Sequence, residues 1–258
     1  MKTLEACIAT AMDCSDSEIL PFLPYILQDF WELGSNPFVI ADLIRKFCPT
    51  PHNLTLLDLG CGKGAVTISV ARQLKCHATG IDGIPEFIAF AKAKAAKEGV
   101  EYLCRFEVGD VREKIKTAGR YDIILLGSIG QVFGNYFETL TLLGGHLKEG
   151  GVIIIDEGYL LDSAQVVHPN VLHKADILAQ IEKAGMQLLF EEVAVSDQAA
   201  AIRYDAEYQK LLKRCGELSA EHPDKAEMFS SFCQQQYREY DNLKNDITCA
   251  TLVIQRQP

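Results

Sequence analysis

From Leu54 onward the apolar residues fall into two alternating rhythms: short unbroken runs that end at a glycine or an acid, and longer stretches in which they recur every three or four positions. The short runs predict strands at 54–59, 77–82, 103–108, 121–126 and 152–157, and the longer ones predict helices at 64–74, 85–98, 131–147 and 173–184. Ile123-Ile124-Leu125-Leu126 and Val152-Ile153-Ile154-Ile155 are apolar at successive positions, as strands buried on both faces must be. Strict alternation of this kind predicts βαβ units, hence an α/β, doubly wound, mostly parallel sheet with helices on both faces.

Both ends depart from the rhythm. The first part of the chain is helical in pattern at 3–12 and 18–47, with Pro21 and Pro24 near one start, Ser35-Asn36-Pro37 opening a further turn, and Pro49-Thr50-Pro51 breaking the run. At the other end, 187–195 and 248–254 read as strands separated by an insert at about 198–245. In the insert Tyr204, Tyr208, Leu211, Leu212 and Cys215 recur at helical spacing, as do Phe229, Phe232, Cys233, Tyr237 and Tyr240, so two amphipathic helices are expected to meet near His222-Pro223. The expected division is an N-terminal helical cap over 1–50 and one α/β domain over 51–258.

Composition changes the picture only in what it excludes. A length of 258 residues, with 48% apolar and 23% charged residues, suits one globular α/β domain with elaborations. The net charge of -10, with no Lys/Arg block, sets the surface against phosphate backbones and anionic membranes, so neither nucleic acid nor membrane is expected as a partner. The nine cysteines include no Cys-x-x-Cys and the six histidines no His-x-x-x-His, so no metal site is readable and reduced thiols in a cytoplasmic protein are expected. The N-terminus carries Glu5 inside any h-region, and no apolar run approaches the ~18 residues of a membrane span. A homodimer stays open.

The chemistry concentrates at Leu56-Leu57-Asp58-Leu59-Gly60-Cys61-Gly62-Lys63-Gly64. Glycines at alternate positions let the backbone turn sharply and approach a ligand closely, and Asp58 brings a carboxylate to the same mouth. Alone the motif is ambiguous, since Gly60 to Ala65 also satisfies the dinucleotide pattern G-x-G-x-x-A and NAD presents a ribose diol too. Asp82 ends the second strand and Asp110 follows the third, so acids stand at the carboxyl ends of three consecutive strands, where open α/β sheets bind ligands. Lys63 reads as a solvent-facing loop residue, because the P-loop spacer and Ser/Thr are missing.

These residues together resemble the class I S-adenosylmethionine-dependent methyltransferases, over roughly 54–195 plus the last strand. Asp58, Gly60, Cys61, Gly62 and Gly64 are similar to the family's first motif, whose loop wraps the methionine and ribose part of the cofactor. Thr79-Gly80-Ile81-Asp82, followed by Gly83 and Ile84, resembles the second, whose acid grips the ribose hydroxyls. Gly109-Asp110-Val111 is similar to the third, which reads the adenine amino edge, and the segment ending at Gly127 and Ser128 to the strand end that passes the sulfonium. His146-Leu147-Lys148-Glu149-Gly150-Gly151 resembles the turn before the fifth strand, with Glu149 in place of the usual proline. The resemblance implies a Rossmann-like seven-stranded sheet whose last strand runs antiparallel between the fifth and sixth, with S-adenosylmethionine as donor and S-adenosylhomocysteine as product.

The acceptor is narrowed by what is missing. After the fourth strand the chain reads Gly-Ser-Ile-Gly-Gln, without the Asn/Asp-Pro-Pro-aromatic segment of nucleic-acid amino methylation, the Pro-Cys of cytosine C5 enzymes, paired glutamates or a magnesium-binding acid cluster. A small-molecule acceptor under a helical lid remains, with Trp31, Phe38, Tyr136, Tyr159, His168 and the insert tyrosines as candidate walls. In-line displacement from a sulfonium needs orientation and desolvation more than an acid or base; Tyr159, Glu157 and His168 are the candidates if a base is needed. An NAD-dependent oxidoreductase and a non-catalytic cofactor-binding protein are the alternatives.

Overall fold

A computed structural model describes residues 3–14, 16–48, 53–165, 168 and 170–257. Seven strands form one sheet: β1 (Thr55–Leu59), β2 (His77–Asp82), β3 (Cys104–Val108), β4 (Tyr121–Gly127), β5 (Leu147–Tyr159), β6 (Met186–Val193) and β7 (Thr248–Arg256). Their order is β3-β2-β1-β4-β5-β7-β6, parallel from β3 to β5, with β7 antiparallel between β5 and β6. The expected Rossmann-like sheet is therefore present, including the place of its last strand. The order reverses between β1 and its neighbours β2 and β4, which opens a crevice at their carboxyl ends.

The continuous apolar runs are explained by the helices on each face. Leu57, Ile124, Leu126, Ile153 and Ile155 enter one core, where α7 (Tyr136–Gly144) and α8 (Lys174–Lys183) supply Leu140, Leu143, Ile177 and Ile181. Leu56, Ile123, Leu125, Val152 and Ile154 enter the other, against α3 (Pro37–Phe47) and α4 (Ala65–Leu74). Successive residues point to opposite faces, so each run fills both cores at once. Beside α4, α5 (Pro85–Lys97) covers β2 and β3 with Ile88, Ala91 and Ala95.

The sequence pattern misplaces three boundaries. The stretch 18–47 is not one helix: after α1 (Leu4–Ala11) come a 3₁₀ turn at Ser17–Phe22, the short α2 (Leu23–Ile26), a non-helical segment 27–36, and then α3. Pro21 and Pro24 withhold amides, and Asn36 starts α3 afresh by accepting the Phe38 and Val39 N–H groups ahead of Pro37. The break expected at 49–51 lies outside the described residues. The helix expected from 131 begins at Tyr136, fixed by a capping box between Asn135 and Glu138, and gives way to β5 at Leu147. A short helix after β3, α6 (Val111–Lys114), is capped by Asp110.

The insert is two helices as expected, α9 (Gln198–Glu221) and α10 (Ala226–Asn245), joined by the 3₁₀ turn Pro223–Lys225. Their apolar faces pack mainly on the N-terminal segment. Leu211, Cys215, Leu218, Phe229, Phe232 and Cys233 form a third core with Ile19, Leu23, Ile26 and Leu27 of the N-terminal segment. Arg214 of α9 adds a fork to the Asp29 carboxylate at 2.7 and 2.9 Å, and Tyr25 donates to Glu217 at 2.8 Å.

Candidate active site

The crevice holds a cavity of about 970 Å³, its open mouth included, lined from the ends of β1, β2 and β4 and from the N-terminal segment. Gly60 and Gly62 have φ of +77° and +52°, and a Cβ on Gly60 would strike the Ile129 side chain. The loop is tied to β2 by the Gly60 and Cys61 N–H groups, which donate to the Ile81 carbonyl at 2.8 and 3.0 Å. Gly64 does not serve the cavity: it is not among the lining residues, and its missing Cβ admits Ala91 of α5 and the Phe106 ring, 2.9 and 3.0 Å from where that carbon would stand.

Asp82 sits at the centre of the loop's support. Its two oxygens accept the Gly62 and Ile84 N–H groups, both at 2.8 Å, within the four acceptor sites of a carboxylate. Burial pushes its carboxyl upward, and the amides from Ile84, Gly62 and Gly83 oppose that shift. A carboxylate held this way, lining the cavity, suits a vicinal diol.

Asp58 lines the cavity but is already engaged. It is fully buried and accepts the Thr67 hydroxyl at 2.5 Å, which fastens the loop to the first turn of α4, and burial raises its carboxyl to about 7. Asp110 is engaged as well: it accepts the Arg112 N–H at 2.9 Å and the Arg112 guanidinium at 2.6 to 3.1 Å. Arg112 holds that carboxyl below the usual range, so what Asp110 offers the cavity beside Val111 is a carboxylate already paired with a cation. Gly83, Ile84, Cys61, Gly127 and Ser128 line the cavity.

The model of the methyltransferase domain family matches residues 51–256. The chain belongs to that family. Among curated relatives, ajmaline N-methyltransferase from Rauvolfia serpentina is 35% identical over 75 residues, which is 29% of this chain and 25% of that protein. The first relatives are thus matched over about a quarter to a third of their length. An S-adenosylmethionine-dependent methyltransferase from Geobacter sulfurreducens, solved with S-adenosylhomocysteine, superposes with a TM-score of 0.73 at 19% identity, covering 92% of this chain and 98% of that one. YjhP from Escherichia coli superposes at 0.72 with 18% identity over 91% and 100% of the two chains. The cofactor of such methyltransferases is S-adenosylmethionine, and the positive-φ glycine loop and the Asp82 carboxylate that lines the cavity fit it.

Of the candidate bases, none lines this cavity. The Tyr159 hydroxyl donates to Glu191 at 2.6 Å, and Glu191 also takes Lys174 at 2.5 Å, so Tyr159 belongs to a polar clasp between β5 and β6. The His168 ring accepts the Asn170 N–H at 3.3 Å and lies 3.4 Å from the Asn242 amide. Glu157 lines a second cavity of about 490 Å³, together with Tyr136, and accepts the Gly130 N–H at 3.1 Å. Of the other candidate walls, Trp31 lines the main cavity, Phe38 is 59% exposed, and Tyr204, Tyr208, Tyr237 and Tyr240 pack on one another between α9 and α10.

Several lining residues escaped the sequence reading. Leu4, Cys7, Ile8 and Ala11 of α1 roof the crevice, with Ile8 Cδ1 2.6 Å from where a Gly83 Cβ would stand. Their i, i+3, i+4, i+7 spacing marked an apolar helix face, without saying what it covers. Lys63 corrects its expected place in solvent: it is buried at 4% exposure, and its ammonium donates to the carbonyls of Leu27 at 2.5 Å and Phe30 at 2.7 Å. No membrane-spanning helix and no cluster that could hold a metal ion occur among the described residues.

Proposed function

We propose that this chain transfers the methyl group of S-adenosylmethionine to a small amine by in-line displacement. When bound, that cofactor supplies an electrophilic methyl on a sulfonium. The protein's part is to hold the donor, exclude water and receive the proton the nitrogen loses. In this reading Asp82 takes the ribose hydroxyls, Val111 and Asp110 flank the base, and Gly60, Gly62 and Gly127 border the methionine end.

The observation that carries the acceptor class is the group of acids beyond the Ser128-Ile129 turn. Asp13, just past the α1 residues that roof the cavity, has its carboxyl raised to about 7 by burial and by the charges of Glu239 and Glu157. Glu157 is itself raised to about 7, chiefly by burial. Among the described residues none of the three has an ion-pair partner. Like charges gathered together favour a cation between them, and a carboxylate near neutrality can take its proton as the nitrogen attacks. The plant relative named for N-methylation supports the same class. The charge of -10 and the roof of α1 argue for a small acceptor over a nucleic acid, and nine free cysteines suit the cytoplasm.

A labelled methyl donor offered with a panel of amines, phenols, thiols and carboxylic acids tests this. Label appearing on amines, and falling in Glu157→Gln, is the expected result. Label confined to phenols or thiols overturns the amine reading; none with any acceptor, despite calorimetric binding of S-adenosylhomocysteine, favours a non-catalytic role. Binding of NAD without S-adenosylhomocysteine overturns the whole assignment.

A further inference from the structure

The first motif requires glycines, yet the residue between its last two is a lysine turned away from solvent. Lys63 reaches back more than thirty residues to the carbonyls of Leu27 and Phe30, where the chain leaves α2 and enters the segment 27–36. Its ammonium also lies 5.6 and 5.3 Å from the ring centroids of Phe87 and Phe90 on α5. A buried ammonium with carbonyl partners is a costly group to place and a firm one once placed.

What this lysine holds is a second wall of the cavity. Leu33 Cδ1 lies 3.2 Å from where a Gly62 Cβ would stand, Ser128 Oγ 2.5 Å from where a Gly34 Cβ would stand, and Ser35 Oγ fills the place of a Gly127 side chain. Trp31, Leu33 and Ser35 all line the cavity. Among buried side-chain polar atoms of the described residues, two lack a hydrogen-bond partner: the Trp31 indole N–H and the Ser35 hydroxyl. Both belong to this one segment. An unsatisfied buried donor is unfavourable, and a ligand that accepts from it removes the penalty.

We propose that segment 27–36 is a working wall of the cofactor site, positioned by Lys63, with Ser35 and Trp31 as donors to the carboxylate of the cofactor's amino-acid end. Ser35 stands beside Gly127, at the strand end where the methionine portion would run. Lys63 borders the same cavity, but its ammonium is spent on the carbonyls of Leu27 and Phe30, so it acts as a positioning residue. The inference concerns the donor and stands apart from the choice of acceptor.

Calorimetry with two ligands tests it: S-adenosylhomocysteine, which has the amino-acid end, and 5′-methylthioadenosine, which keeps the nucleoside and lacks that end. Ser35→Ala is expected to weaken S-adenosylhomocysteine about tenfold or more and to leave 5′-methylthioadenosine within twofold. Lys63→Met is expected to show the same selective loss, and to abolish the protection from hydrogen exchange that S-adenosylhomocysteine confers on residues 27–36 of the wild type. Equal losses for both ligands, or unchanged S-adenosylhomocysteine affinity in Ser35→Ala, overturn the proposal. Should Lys63→Met fail to fold, Ser35→Ala decides alone.

Discussion

Asp82 and Gly62, twenty residues apart and on neighbouring strand ends, are joined by a 2.8 Å hydrogen bond from the glycine N–H to Oδ2. One carboxylate therefore shapes the loop that would wrap a cofactor while lining the cavity that would hold it. Asp82→Ala is expected to weaken S-adenosylhomocysteine by about 1.5–3 kcal/mol, the range for losing hydrogen bonds to a charged group. Calorimetry checks this; wild-type affinity in the variant would reduce Asp82 to a loop support.

Two glycines of the same loop should fail differently. Gly60→Ala places a methyl against Ile129 at φ +77°, inside the cavity wall, so binding should fall at least tenfold even in protein that remains folded. Gly64→Ala at φ +74° drives a methyl into Ala91 and Phe106, away from the cavity, and should cost about 1–3 kcal/mol of stability. Denaturant melts and ligand titrations on the two variants separate the effects.

Glu157 should leave a mark on the pH dependence of folding. Its folded carboxyl titrates near 7 because burial disfavours the charged form, while the unfolded one titrates at its ordinary value. Between these values the folded state binds the extra proton, so stability falls as pH rises from about 4.5 to 7 and is level above. Glu157→Gln should flatten that slope relative to wild type in melts over pH 5–8; parallel curves for the two proteins would contradict the burial of this carboxyl.

Phe229 is fully buried in the core that α10 shares with the N-terminal segment, edge-on to Phe22 at 5.0 Å. Phe229→Ala is expected to cost about 3–5 kcal/mol. Because the same core anchors the cavity's second wall, hydrogen exchange across 17–36 should quicken in the variant well before the sheet exchanges.

Tyr159→Phe removes a hydroxyl that serves Glu191 and lines neither of the two cavities described above. Stability should drop by about 0.5–1.5 kcal/mol while methyl transfer stays at the wild-type rate. A large loss of rate would return Tyr159 to the list of bases.

The central sheet was legible because local chemistry and global fold agree there. A run such as Ile123 to Leu126 has only one comfortable home, a strand with a helix on each face, and glycines at positive φ can be recognised from their neighbours. The end of the helix before β5 was legible only in part, since Asn135 and Glu138 mark its start but the apolar pattern runs on both sides. His168 and Tyr159 were plausible bases on position alone. Their hydrogen bonds to Asn170 and Glu191 depend on which way strands and loops pack.

By itself, then, the sequence determined the strands, the glycine loop and the acid at the end of β2, all of which depend on residues near one another in the chain. Tertiary structure alone decided that Lys63 is buried, that α9 and α10 brace the N-terminal segment, and that α1 and Ser35 complete the cavity. These last are contacts between segments tens to hundreds of residues apart, and an amphipathic face states how much must be covered without stating by what.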